Sequence, residues 1–313
     1  MIADRRRLRR KVTFWRVLAV VLFIGVIGIA FRFAGPDGAH RNPHIAHVTL
    51  SGIIQDDPEL LERLKKIAES DQVKGLVLSI SSPGGTTYGG ERIFKAVRAV
   101  SERKPVVTDV RTLAASAGYM VATAGDVIIA GESSITGSIG VIFQYPQAKQ
   151  LLDKIGVSLE EIKSSPLKAE PSPFHPPPEE AKAMIQAMIN DSYDWFVDLV
   201  ADRRKMPRAE VLRLADGRIL TGRQALKEKL IDTLGGDAEI RAYFKSRGVD
   251  EKLEIVDWEP PSASGYFGVG SLAEALARAS GLDAFLPGGD IRRLLQGKLF
   301  LDGLLSVWQV EQH

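Results

Sequence analysis

Apolar positions between residues 44 and 258 recur in two rhythms that take turns along the chain. HIAHVTLSGII (His44 to Ile54) alternates as a strand. Asp56-Asp57-Pro58 then opens a helix whose Leu60, Leu61, Leu64 and Ile67 make one stripe. KGLVLSISS (Lys74 to Ser82) is a near-continuous apolar run and predicts a buried strand, and Gly89 to Arg103 predicts a helix with Ile93, Phe94, Val97 and Val100 on one face. PVVTDVRTL (Pro105 to Leu113) is a further buried strand. After it come a small-residue helix, roughly Ala115 to Ala124, the strand DVIIAG (Asp126 to Gly131) and the segment SITGSIGVIF. QAKQLLDKIG reads as a helix ended by Gly156, and VSLEEIKS as another strand. Strands alternating with helices in this way predict an α/β fold with a largely parallel sheet and right-handed crossovers.

SSPLKAEPSPFHPPP (Ser164 to Pro178) carries too many prolines for regular structure and is read as a loop. A long amphipathic helix follows, Glu179 to about Lys205, with Met184, Ile185, Met188, Ile189, Phe196 and Val200 on the face expected to be buried. Helices near 208–216 and 222–231 surround ADGRILTG, with LGG (Leu234 to Gly236) capping the second, and LEIVDW (Leu253 to Trp258) reads as a returning strand. Beyond Pro260 the pattern weakens. LFLDGLLSVW fits either a hairpin turning at Asp302-Gly303 or an amphipathic helix, and residues 261–313 form an extension whose role the sequence leaves open.

Charge changes the picture at the N-terminus. Residues 1–34 hold eight Lys/Arg and one Asp, so the formal +2 of the whole chain leaves the remainder at −5. A nucleic-acid-binding body is therefore not expected. Residues 1–11 form a basic tail containing RRRLRRK, and 12–34 are almost wholly apolar apart from Arg16 and Arg32, which can snorkel to the interfaces. This predicts an uncleaved single-pass transmembrane helix, with the N-terminus in the cytoplasm and all that follows outside. Residues 35–44 are read as a linker and 45–260 as the main domain. With no cysteine in the chain, disulfides, thiolate metal sites and a cysteine nucleophile are excluded. The histidines His40, His44 and His47 bring no carboxylate cluster with them, so no metal site or cofactor is expected.

Chemistry centres on Thr112 to Ile142, crowded with Gly, Ala and Ser between strand patterns. Ser116 falls where a strand gives way to a helix, a corner that exposes a hydroxyl to a helix N-terminus. It reads either as a nucleophile or as an N-cap in a tightly packed core. A serine nucleophile needs a base. His175 lies in the rigid FHPPP segment, and lysine is the other option if burial lowers an amine from about 10.4 towards neutrality. Lys163 and Lys168 flank the Pro-rich loop; Lys168, in PLKAEP, is either that base or a solvated loop lysine. Ser82-Pro83-Gly84-Gly85 ends a buried strand and could aim backbone amides at a developing oxyanion, or be an ordinary turn.

Taken in order, SPGG, ASAGYMVATAGDVIIAGESSITGSIGVI, a loop lysine and ADGRILTGRQALKEKLIDTLGG resemble the signal peptide peptidase A family over roughly residues 45–245. That family consists of membrane-anchored serine peptidases with a ClpP/crotonase-like fold. The resemblance implies Ser116 as nucleophile, Lys168 as base, Ser138 as the residue orienting that lysine, and Gly84, Gly85 and Ala117 as the oxyanion hole. Ala117 departs from the glycine often found after the family's nucleophile. The resemblance also implies a short form that assembles as a homo-oligomer in a bacterial inner membrane. Its substrates would be signal peptide remnants and other apolar peptides, bound as an added strand. A crotonase-like acyl-CoA thioester enzyme and a non-catalytic membrane scaffold are the competing readings.

Overall fold

The computed structural model describes residues 15, 16, 18, 19, 21, 22 and 42–258, and the strand 305–307. The expected membrane helix over 12–34 thus lies mostly outside the described residues. No helix among the described residues is long and apolar enough to cross a membrane.

The chain folds as a mixed α/β sheet, largely parallel, with helices on its faces. Three strands form its centre, β1 (His44–Ile54), β2 (Val73–Thr86) and β3 (Val106–Ala115), and β8 (Ile255–Asp257) adds at the edge beside β1, in the order β3-β2-β1-β8. β1, β2 and β3 run parallel, with Val48 opposite Leu78 and Leu78 opposite Thr108. On the edge away from β2, β3 serves two further neighbours. Val107–Val110 pair with β4 (Val127–Ala130), whereas Leu113–Ala115 pair with β5 (Ile135–Gly137). β5 in turn pairs antiparallel with β6 (Ile219–Thr221), and β4 carries β7 (Thr233–Leu234). The split of β3 is what turns the Gly-rich segment towards one end of the sheet.

Local chemistry sets the helix starts. In α1 (Pro58–Glu69) the Asp57 carboxylate accepts from the Leu60 amide at 3.0 Å, and Pro58 sits where its missing N–H is harmless. In α2 (Thr87–Ser101) the Thr86 hydroxyl accepts from Gly89 at 3.1 Å. Leu60, Leu64 and Ile67 of α1 and Ile93 and Val97 of α2 bury their stripes against Leu76, Leu78 and Ile80 of β2. Each such side chain contributes about 1.5–3 kcal/mol of burial. The opposite face carries Ile45, Val77, Val107 and Ile129, covered by Ile240 and Phe244 of α8 (Asp237–Ser246).

Four expectations are corrected. SPGG is not a turn: β2 continues through it to Thr86, with Gly84 and Gly85 opposite Ile53 and Ile54 after a register shift. VSLEEIKS forms no strand: among the described residues no neighbouring strand pairs with it, and a lone strand has nowhere to place its backbone bonds. α4 (Lys149–Lys154), just before it, buries no residue, and Leu151, Ile155, Val157, Leu159 and Ile162 are exposed. In α5 (Glu179–Arg204) the buried residues are Ala181, Phe196, Val197 and Val200. Met188 is exposed and Met184, Ile185 and Ile189 are half-buried; Ile185 and Ile189 line an open groove with Tyr145, Pro171 and Pro177. Gly235 and Gly236 follow β7 rather than cap α7 (Gly222–Lys227).

The far end of α5 is tied down: Arg203 donates to the carbonyls of Thr123 (2.8 Å) and Gly125 (2.9 Å), and Arg204 forks onto Asp232. Past the described body, β9 (Leu305–Val307) lies antiparallel on β2, Gly84 opposite Val307 and Thr86 opposite Leu305.

Candidate active site

Ser116 follows β3 and precedes α3 (Ala117–Ala122), a helix buried throughout, in which Tyr119 and Met120 are large and the rest small or medium-sized. Its backbone adopts φ 57°, ψ −119°, in the left-handed half of φ space that a residue with a side chain enters only under strain. It occupies the N-cap position, yet its side chain makes no capping bond, so the N-cap reading is corrected. The strain is held by the surroundings. The Ser116 amide donates to the Gly137 carbonyl at 2.9 Å, and its own carbonyl accepts from Met120 at 2.9 Å. Ser116 is 1% exposed.

The neighbouring pieces converge on that corner. Ala115 pairs with Gly137, which brings Ser138 alongside; Ser138 also takes a positive φ, 52°, and its amide donates to the Arg218 carbonyl at 2.7 Å. Arg218 in turn forks onto Asp216, and those hydrogen bonds hold the Asp216 carboxyl down at about 2. On the other side Ser82 pairs with Ala114 in the ladder. Gly118 packs so tightly on Ser82 that a methyl group there would lie 2.9 Å from the Ser82 carbonyl oxygen. Ser82 Oγ donates to the Gly52 carbonyl at 2.7 Å and accepts from the Gly84 amide at 3.1 Å. Gly84 has φ 107°, open to glycine alone, and at Gly85 a Cβ would fall 1.9 Å from the Ile54 oxygen. Ser116, Ala117, Ser138 and the Gly84–Gly85 segment thus share one end of the sheet. The Ala117 amide belongs to the first turn of α3, where no carbonyl within the helix can accept from it.

Lys168 stands apart. It sits on an exposed turn, with its amide on the Ser165 carbonyl at 3.1 Å, and among the described residues its ammonium has no hydrogen-bond or salt-bridge partner. Lys163 behaves differently. Its ammonium lies 2.5 Å from Glu161 and 2.6 Å from Glu170, and those hydrogen bonds raise its pKa while lowering both carboxyls. His175 joins the group, 3.3 Å from Glu170. A divalent cation could use Glu161, Glu170 and His175, but the Lys163 charge already fills the space between the carboxylates. This cluster escaped sequence reading, since its members are scattered through an irregular loop with no ligand spacing.

A second group was also missed. His47 hydrogen-bonds Asp257 through Nδ1 and Ser79 Oγ through Nε2 at 2.9 Å, an order of contacts that looks like a Ser-His-Asp triad. Ser79 is 4% exposed in mid-strand, paired with Thr49 and Asp109 on its two sides, and its hydroxyl reaches Asp109 at 3.3 Å. Backbone amides committed to ladders cannot form an oxyanion hole there. Burial raises the Asp109 carboxyl despite its Arg111 partner, so the group is a polar seam within the sheet.

Comparison with known proteins follows the same lines. The model of peptidase family S49 matches residues 98–248, and that of Clp protease residues 46–131. A protein of Enterococcus faecium named for signal peptide peptidase SppA is 38% identical over 78% of this chain and 74% of its own length. A protease-named protein of Methanocaldococcus jannaschii is 36% identical over 67% of each chain. The chloroplastic serine protease SPPA of Arabidopsis thaliana is 32% identical over 66% of this chain and 31% of its own length.

Proposed function

Because the chain belongs to the signal peptide peptidase A family of serine peptidases, family S49, we propose that it is a membrane-anchored endopeptidase in which Ser116 and Lys168 form a catalytic dyad. Its substrates are remnant signal peptides and other apolar, extended peptides. The observation that carries the reading is Ser116 itself: a buried serine at a strained strand-to-helix corner, whose hydroxyl is not used to cap the helix it precedes. Backbone strain of about 1–3 kcal/mol persists only where the surroundings hold it, and it clusters at functional sites.

In this reading Ser116 Oγ attacks the scissile carbonyl carbon while the neutral amine of Lys168 takes its proton. The Ala117 amide, with that of Gly84 or Gly85, receives the oxyanion. Lysine then passes the proton to the leaving amine, and water attacks the acyl-enzyme by the same route. Ser138 holds the lysine amine by accepting a hydrogen bond. Substrate adds as a strand along Gly84–Thr86, the edge on which β9 already lies antiparallel. The exposed Leu151, Ile155, Val157, Leu159 and Ile162 favour a homo-oligomer, and cover from neighbouring copies and bound peptide would desolvate the lysine. Residues 1–11 stay in the cytoplasm, 12–34 span the inner membrane, and the domain 45–260 works outside. No metal or cofactor takes part.

The test is to treat the full chain in detergent with a serine-reactive phosphonate and map the adduct. Labelling at Ser116, abolished in Ser116→Ala, is expected. An adduct at Ser79 instead would move the chemistry to the His47–Asp257 group and refute the proposal.

A further inference from the structure

The turn that carries Lys168 has little of its own to hold it. Residues 164–169 are all exposed, and the turn's backbone bonds are Lys168 to Ser165 at 3.1 Å and Glu170 to Leu167 at 3.3 Å. A base that must meet Ser116 repeatedly in one geometry cannot rely on that alone, since a misplacement of about 1 Å costs on the order of 100-fold in rate. The structure ties the turn at its two ends instead. Lys163 and Glu170, which bracket it, are joined at 2.6 Å, and the Glu170 side chain is only 2% exposed.

We infer that Lys163 is a positioning residue for Lys168, acting through its ion pairs with Glu170 and Glu161 to clamp the base of the turn. This rests on Lys168 being the base, and assigns a task to residues that the dyad itself leaves idle. Three features support it. Glu170 is fixed from a second direction by the Ser172 amide, which donates to Oε2 at 3.2 Å, and Ser172 is itself buried. Glu161 supplies a second carboxylate at 2.5 Å, so the Lys163 ammonium is held from two sides. His175 Nε2 sits 3.3 Å from Glu170 and 3.7 Å from Glu161 and closes the group from the far strand of the loop. Two partners also keep the Lys163 amine protonated, so it cannot compete as the base.

The clamp restricts the turn before substrate arrives, so its loss should appear in turnover and not in binding. The experiment compares Lys163→Met, Lys163→Arg and Glu170→Gln in the full-length, detergent-solubilised protein, with an apolar fluorogenic peptide as substrate. The expected result for Lys163→Met and Glu170→Gln is a fall in kcat of about 10- to 100-fold with KM within about twofold. Lys163→Arg, which keeps both ion pairs, should recover to within about fivefold of the parent. Glu170→Gln preserves shape and guards against a folding failure in Lys163→Met; melting temperatures of all three are read alongside. Parental kcat in both Lys163→Met and Glu170→Gln would overturn the inference, as would a loss that Lys163→Arg shares in full. Lys168→Met is the separate control: if it stays active, the dyad fails, whatever the clamp variants do.

Discussion

The Ser116 amide donates to the Gly137 carbonyl at 2.9 Å, one residue before Ser138. That single bond joins the end of β3 to the end of β5 and holds two positive-φ serines, at 57° and 52°, side by side. Neither conformation is comfortable for an L-residue alone; both serines stand just past the ladder between the strands, the Ser116 amide held by Gly137 and the Ser138 amide by Arg218.

Relieving the strain should separate stability from activity. Ser116→Gly and Ser116→Ala both remove the hydroxyl and should both be inactive. Glycine accepts φ 57° freely, so Ser116→Gly should be more stable than Ser116→Ala by about 1 kcal/mol. Urea unfolding of the two variants measures the gap, and equal midpoints would mean the corner is not strained.

A lysine base imposes a sign on the pH dependence. A protonated amine cannot accept the serine proton, so kcat/KM should rise with pH and level off as the amine is neutralised. Lys168→Arg should be inactive across the whole range, because a guanidinium stays charged. Steady-state rates from pH 6 to 10 decide this, and a working Lys168→Arg would exclude the dyad.

Asp216 ties the acid limb of stability to the same end of the sheet. Arg218 depresses its carboxyl to about 2, below the unfolded value near 3.8. The stabilisation is therefore complete above about pH 4 and drains away as pH falls towards 2. Asp216→Asn lacks it at every pH, so its melting temperature should lie below the parent's at pH 6, with the two curves converging near pH 2.

β9 supplies a prediction about binding. Its three residues pair with Gly84–Thr86, the edge on which substrate is proposed to add. A tethered strand competes at an effective concentration that free peptide must exceed. Chains shortened to end at residue 300 should show a KM several-fold lower with kcat little changed. An unaltered KM would mean that peptides bind elsewhere.

Much of the fold could be read before any coordinates, because its central strands show either apolar runs or apolar alternation and its helices show single apolar stripes. β1 and the Pro58 start of α1 fall where His44–Ile54 and Asp57-Pro58 indicate them. The failures share a cause. VSLEEIKS has the alternation of a strand, but a strand needs a partner, and the described residues offer it none. Met188 lies on an apolar stripe that continues past the last surface able to cover it. SPGG looks like a turn because Pro and Gly usually make one; here glycine is needed for contact with Ile54, and the strand runs on. At the site, Ser116 was marked by its strand-to-helix corner. The Lys163–Glu161–Glu170–His175 group and the His47–Ser79–Asp257 seam were not, because long-range ion pairs and hydrogen bonds leave no periodicity behind.

The contact between Gly118 and Ser82 works as a gauge. A methyl group would lie 2.9 Å from the Ser82 oxygen, so at this point the helix that follows Ser116 rests on the strand that bears Gly84 and Gly85 with no side chain between them. The spacing between that helix and that strand is therefore fixed by peptide thickness, which substitution cannot thin or thicken by degrees. Drift in the surrounding core can loosen the protein without resetting that spacing.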